Sequence, residues 1–302
     1  FTMSMFKRIF LFIIVNILVL ITISITLSVL GVRGYLNAYG IDYTSLLIYA
    51  AVVGFAGAFI SLLFSKFFAK LMMGVRIIEP AKANYEENIL YNMVSELSKA
   101  TGLPAVPEVG IYDSQEVNAF ATGPSKSNSL VAVSTGLLHR LDSQAVKGVI
   151  GHEIAHIANG DMVTMTLLQG VVNTFVIFLS RIAAWAASMA LSKRDSDESS
   201  QPSPLIHFIC VIAFDIIFSI LGSIVVAYFS RKREFRADSG GAKYAGRENM
   251  IHALQSLKNT IELIDTTHKS IATLKISNTS KVSVFSTHPA LDERIELLKK
   301  GK

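Results

Sequence analysis

Cysteine is almost absent from this chain. Its sole thiol, Cys210, lies in an apolar run, so the 302 residues contain no intrachain disulfide and no cysteine-based zinc site. Charge is scarce too: Asp, Glu, Lys and Arg make up 17% of the residues, 51% are hydrophobic, and the mean hydropathy is +0.46. That balance excludes an ordinary soluble globule and fits an integral membrane protein with a polar domain attached. The formal net charge of +5 comes without an arginine-rich or aromatic-interleaved surface. Lys and Arg gather beside apolar segments instead, so they read as topology signals, and nucleic acid is not an expected partner. There is no internal repeat beyond two pairs of apolar runs.

Four such runs organise the chain. Residues 9–30 are 22 uncharged positions behind Lys7 and Arg8. That is long enough for a bilayer, too long for a typical signal-peptide core, and lacks a small-residue cleavage site. Phe1 and Thr2 precede Met3 and Met5, so the natural start is expected at one of those methionines. The second run, 46–64, carries Gly54 and Gly57 as expected close-packing points and is followed by Lys66, Lys70 and Arg76. Runs at 163–191 and 205–229 flank a polar loop, 192–204, and the last is followed by Arg231, Lys232 and Arg233. Basic residues in these places predict both termini in the cytoplasm. The expected organisation is a transmembrane hairpin over 1–71, a first cytoplasmic part over 72–161, a second hairpin over 162–230 and a second cytoplasmic part over 231–302. Arg181 and Asp215 each lie 10 residues from the outer end of their runs, which predicts a pair at similar depth. The competing account is a snorkelling Arg181 and a protonated Asp215.

The polar parts read as α+β. Ile89, Leu90, Met93, Val94 and Leu97 have helical spacing within 84–99, and Gly102-Leu103-Pro104 ends that helix. A strand is expected at 108–112, and a hairpin pairs 117–122 with 129–134 around a turn at 123–128. Phe120 belongs in the core. Asp142 caps a further helix that Asn159-Gly160 ends, and two more helices are expected, at 237–263 and at the end of the chain. His139, His252 and His268 read as surface or packing residues.

The helix after Asp142 contains His152-Glu153-Ile154-Ala155-His156. Residues four apart share a helix face, so both imidazoles reach one metal ion, and Glu153 beside them is placed to act on a water as general base. A five-residue pattern also arises by chance, so a third ligand is required. Glu234 and Asp238 directly follow the fourth run, one helical turn apart. Read alone they are a surface pair in a basic helix. The path from His156 to Glu234 crosses two expected spans, an even number, which puts both motifs in one compartment. Glu234 then completes the metal set and Asp238 supports the outer nitrogen of a ligand histidine.

These motifs, with Asn118-Ala119-Phe120-Ala121-Thr122-Gly123 and Thr287-His288-Pro289 followed by Arg294, resemble the HtpX family of bacterial membrane zinc metallopeptidases, relatives of the CAAX prenyl proteases. The resemblance implies a mainly α, gluzincin-like peptidase domain with a small β-sheet on a four-span α-helical membrane protein. It implies one Zn2+ per chain on His152, His156 and Glu234, with Glu153 as catalytic base. By the same resemblance His288 stabilises the oxyanion, Arg294 orients the site, and Asn118, Ala119 and Ala121 take the substrate as an added strand. His288 ahead of a proline is equally readable as a loop residue. The implied role is hydrolysis of membrane proteins at the cytoplasmic face of the inner membrane, in quality control under stress, beside other quality-control proteases. The rival readings are a CAAX-type prenyl-peptide protease and a membrane scaffold holding zinc without catalysis.

Overall fold

The computed structural model describes residues 5–32, 34–37, 40–192, 203–267 and 286–301. Most of the 192–204 loop, most of the segment 265–283, and His268 therefore lie outside the described residues. Chain order is α1 (Met5–Val29), a two-stranded pair β1 (Leu36–Asn37) and β2 (Gly40–Ile41), α2 (Tyr43–Leu63), α3 (Ser65–Met73), β3 (Arg76–Ile77), α4 (Tyr85–Ala100), β4 (Glu108–Tyr112), β5 (Ala119–Ser125) and β6 (Asn128–Ser134). Helices α5 (Thr135–Arg140), α6 (Ser143–Asn159), α7 (Asp161–Ser192), α8 (Pro204–Ala245), α9 (Arg247–Thr267) and α10 (Leu291–Lys299) complete it. The chain separates into two discontinuous units: one holds Leu62–Thr164 and Phe229 onward with the start of α1, the other Ile9–Ser61 and Met165–Tyr228.

The second unit is built inside out. Among the described residues three helices, α2, α7 and α8, are long and apolar enough to cross a membrane, and the chain is an integral membrane protein; the apolar part of α1 that qualifies, Ile17–Val29, is shorter. Phe175, Phe208 and Ile216 are more than half exposed, whereas Ser180, Ala184 and Ser188 are buried. Small and polar residues inside with large apolar ones outside suit a lipid environment, where close backbone approach drives association. Gly54 is such an approach: a Cβ there would sit 2.7 Å from the Thr174 amide nitrogen. Gly57, expected to do the same, faces open space. Arg181 Nη1 meets both oxygens of Asp215, at 2.8 and 2.9 Å, and the Ser180 hydroxyl donates to the same carboxylate. The pairing predicted from run lengths is present, so the snorkelling account falls.

The first unit is a sheet covered by helices. Its strand order is β3-β4-β6-β5, with β4 and β6 parallel and the other pairs antiparallel, and β5 is at the edge. Alternation along β6 divides the core. Val131 and Val133 face α4 and α6, against Val94, Leu97, Ile150 and Ile154, while Leu130 and Ala132 face a smaller cluster with Val75 and Tyr112. Phe120 joins that smaller cluster, its ring 5.6 Å from Tyr112, as its place in the core requires. Helix α4 starts with a full capping box between Asn84 and Glu87, a motif contributing about 1 kcal/mol.

Two expectations need correction. The hairpin strands run on to Ser125 and resume at Asn128, so Lys126 and Ser127 alone make the turn. Gly123 permits this by a positive φ of 142°, where a Cβ would meet the Asn128 carbonyl. The helix expected over 237–263 is cut at Gly246, also at positive φ, and its first part belongs to α8, which continues unbroken from the apolar run to Ala245. The basic cluster at 231–233 is a charge boundary and not a helix end. Helix α3 had no sequence expectation.

Candidate metal centre

The site forms where α6 packs against the end of α8. Asp142 caps α6 through its carboxylate on the Ala145 amide, and Gly160 in the left-handed region ends it, as the sequence indicates. Small residues let the helices close. A Cβ at Gly151 would come within 2.5 Å of Ala245 Cβ, one at Gly240 within 2.7 Å of Ala155 Cβ, and one at Gly241 within 3.1 Å of the His152 amide. Any larger side chain at these positions pushes apart the helices carrying the two halves of the site.

His152, His156 and Glu234 present ligand atoms all within 4.8 Å of one another, and all three residues are buried. The two imidazole Nε2 atoms are 3.0 Å apart, and each is 3.4 Å from an oxygen of Glu234. Their Nδ1 atoms are both engaged by carboxylates: His152 with Asp238 at 2.9 Å, His156 with Asp161 at 2.7 Å. An Nδ1–H donated to each carboxylate leaves both Nε2 lone pairs pointing inward at each other and at a carboxylate. Such a set of acceptors needs a cation. Charge says the same. The buried carboxylates of Asp161, Glu234 and Asp238 have Arg294 as their one fully buried cation, with Arg236 and Arg233 reaching Asp161 and Glu234 from the edge at 3.3 and 3.4 Å, so the inward-facing oxygens and lone pairs favour a cation at their centre. The residues therefore fit a metal.

Without one, protons take its place. Burial pushes the His156 imidazole down, but its bonds to Asp161 and Glu234 outweigh this and raise it to about 9. His152 is driven down by burial and held above its ordinary value by Asp238 and Glu234.

Other predicted residues surround this centre. Arg294 is buried and clamps Asp238 through Nε and Nη2, both at 2.7 Å, so it orients His152 through Asp238. His288 is largely exposed at the rim and its Nδ1 lies 3.0 Å from Glu234 Oε2. Glu153, His152, Glu234, His288 and Arg294 border a cleft of about 170 Å3 that Asn118 and Ala119 line from the sheet. Ala121 is not in the cleft lining; one strand repeat further on, it packs against the main core. Of the other histidines, His252 pairs with the Asp142 carboxylate at 2.7 Å, away from the cleft. Asp161 was not foreseen. The available signal was an acidic residue directly after the Gly160 cap, five positions beyond His156, where the chain turns back toward that imidazole.

Comparison with known proteins follows the same lines. A model of peptidase family M48 matches residues 84–302. The chain is 58% identical over 300 residues to a protein named Protease HtpX homolog from Bacillus pumilus, covering 97% of this chain and 98% of that one. It is 57% identical over 302 residues to the protein of the same name from Bacillus subtilis, with 97% and 99% covered. The crystal structure of S. mikatae Ste24p superposes with a TM-score of 0.63 at 17% identity. That match takes in 98% of this chain and 65% of the other, so the chain spans somewhat under two thirds of that protein, and the likeness speaks for the fold.

Proposed function

The chain belongs to peptidase family M48, in its HtpX branch, and from that premise we propose that it is a zinc-dependent endopeptidase cleaving membrane proteins at the cytoplasmic face of the bacterial inner membrane. Supporting this reading above all is the convergence of two Nε2 atoms and Glu234 beside an uncommitted carboxylate in a cleft. His152, His156 and Glu234 would hold a zinc ion, which would supply Lewis-acid chemistry at the cleft. Glu153 takes the proton of the attacking water and delivers it to the leaving amine. His288, at the rim, donates to the oxygen that gains charge in the transition state. Asp161 and Asp238 keep both imidazoles in the Nδ1–H tautomer, and Arg294 keeps Asp238 in place. An extended substrate adds to β5 at the sheet edge, with Asn118 and Ala119 beside the scissile bond.

The course of α8 supports the place of action. Glu234 is five residues beyond Phe229, the end of the apolar run, which on a helix is about 7.5 Å. A site this near the end of an apolar run suits segments emerging from a bilayer, and the accompanying role is quality control of membrane proteins under stress, beside other proteases of that kind. With α1 as a fourth span, both termini share the compartment of the site. The test is Glu153→Gln in the full chain, with a membrane protein bearing a cytoplasmic segment as substrate. Zinc is retained and cleavage falls by about 10^2- to 10^4-fold, the usual worth of a general base. Undiminished turnover would remove Glu153 from its role.

A further inference from the structure

Helix α3 is amphipathic the wrong way round for a helix on a soluble surface. Lys66, Ala69 and Lys70 form one stripe at i, i+3 and i+4, and Phe64, Phe67, Phe68, Leu71 and Met72 lie on the opposite side. The lysine stripe faces the protein. Lys66 Nζ lies 3.1 Å from Glu108 Oε1 and donates to Asn128 Oδ1 at 2.6 Å, and Lys70 meets the other Glu108 oxygen. Ala69, between the two lysines, packs on the cluster of Val75, Tyr112, Leu130 and Ala132. The apolar stripe is left outside: Phe67 is 51% and Met72 52% exposed, and none of the helix's residues is fully buried.

We infer that this outer stripe is a membrane-surface anchor, seated in the boundary between headgroups and acyl chains of the bilayer. The occupant follows from continuity. Helix α2 is long and apolar enough to cross a membrane and ends at Leu63, and α3 starts at Ser65 after the single residue Phe64. A chain that leaves the bilayer at Leu63 has α3 at the bilayer surface, where an apolar face is buried only by lying flat in it. Met72 and Phe67 then enter the acyl boundary. The lysines, spent on Glu108 at the start of β4 and Asn128 at the start of β6, tie the sheet to that surface. The anchor does not depend on whether the cleft hydrolyses peptides.

The test uses the full chain with Cys210→Ser, reconstituted in vesicles of phosphatidylethanolamine and phosphatidylglycerol. A nitroxide is placed by Phe67→Cys, by Met72→Cys, and by Tyr85→Cys as a position 81% exposed and off the stripe. Oxygen, enriched in lipid, and a water-soluble nickel chelate compete as relaxing agents. The expected result is oxygen dominance by several-fold at 67 and 72, at a depth of about 5–10 Å, and nickel dominance at 85. Either labelled position carries the test if the other variant fails to fold. Nickel dominance at 67 and 72 would mean a water-facing helix, and weak relaxation by both agents a face covered by a second copy or another protein. Both overturn the anchor.

Discussion

Two charge clusters, one half-buried and one buried, divide this molecule by purpose. In the span unit Arg181 and Asp215 close on each other, with Ser180 completing the carboxylate's partners. In the peptidase unit His152, His156 and Glu234 converge on a point with their lone pairs inward, next to the buried carboxylates of Asp161 and Asp238. The first cluster is neutral and self-satisfied, so it asks for nothing from outside. The second is satisfied only by an added cation or by protons on its imidazoles. A clustered charge alone thus does not mark a functional site; an unmatched set of acceptors does.

The largest effect expected from pulling the two apart lies in the span unit. Arg181→Met leaves Asp215 uncompensated and costs about 3 kcal/mol of stability, at the low end for a broken buried pair because Asp215 is a third exposed. The double change Arg181→Met with Asp215→Leu recovers most of that loss, as denaturant unfolding in detergent would report, with kcat of the folded enzyme unchanged. A double variant as unstable as the single one would mean that the pair is not self-contained.

Next in size, Asp161→Asn and Asp238→Asn each weaken zinc affinity by about 10- to 100-fold, read by competition with a chelator dye. Equal affinity in either variant would deny that carboxylate its hold on the ligand histidine.

The smallest effect is in pH. His156 is raised to about 9, above its unfolded value of about 6.5. Its charged contacts therefore stabilise the metal-free fold fully below pH 6.5, and that contribution is lost as pH rises through about 9. Zinc needs neutral imidazoles, so its binding at pH 7 releases protons and its affinity rises with pH toward 9, the reverse trend. Calorimetry in buffers of different ionisation enthalpy measures the release, and zinc binding without proton release would contradict the raised imidazoles.

Much of the metal centre was legible in the sequence because its parts are local and periodic. His152 and His156 are one turn apart, Glu234 and Asp238 likewise, and counting two spans between them was enough to bring the halves together. The Asp142 and Gly160 caps were readable for the same reason. What was not legible depends on contacts across the chain. Asp161 reaches His156 only because the chain reverses at Gly160, and Gly151, Gly240 and Gly241 matter only once α6 meets α8. The unbroken course of α8 through Arg231, Lys232 and Arg233 escaped notice because a basic cluster after an apolar run reads as a boundary. Helix α3 was missed because its lysines suggest solvent, while the fold spends them on Glu108.

The central claim is that Glu234, emerging from the fourth apolar run, closes a centre begun on α6. Zinc content per purified full-length chain, by elemental analysis, tests it most directly with Glu234→Ala beside the unaltered protein. One zinc per chain in the unaltered protein and its loss from the variant is the predicted result; a stoichiometric zinc in Glu234→Ala would contradict the split site.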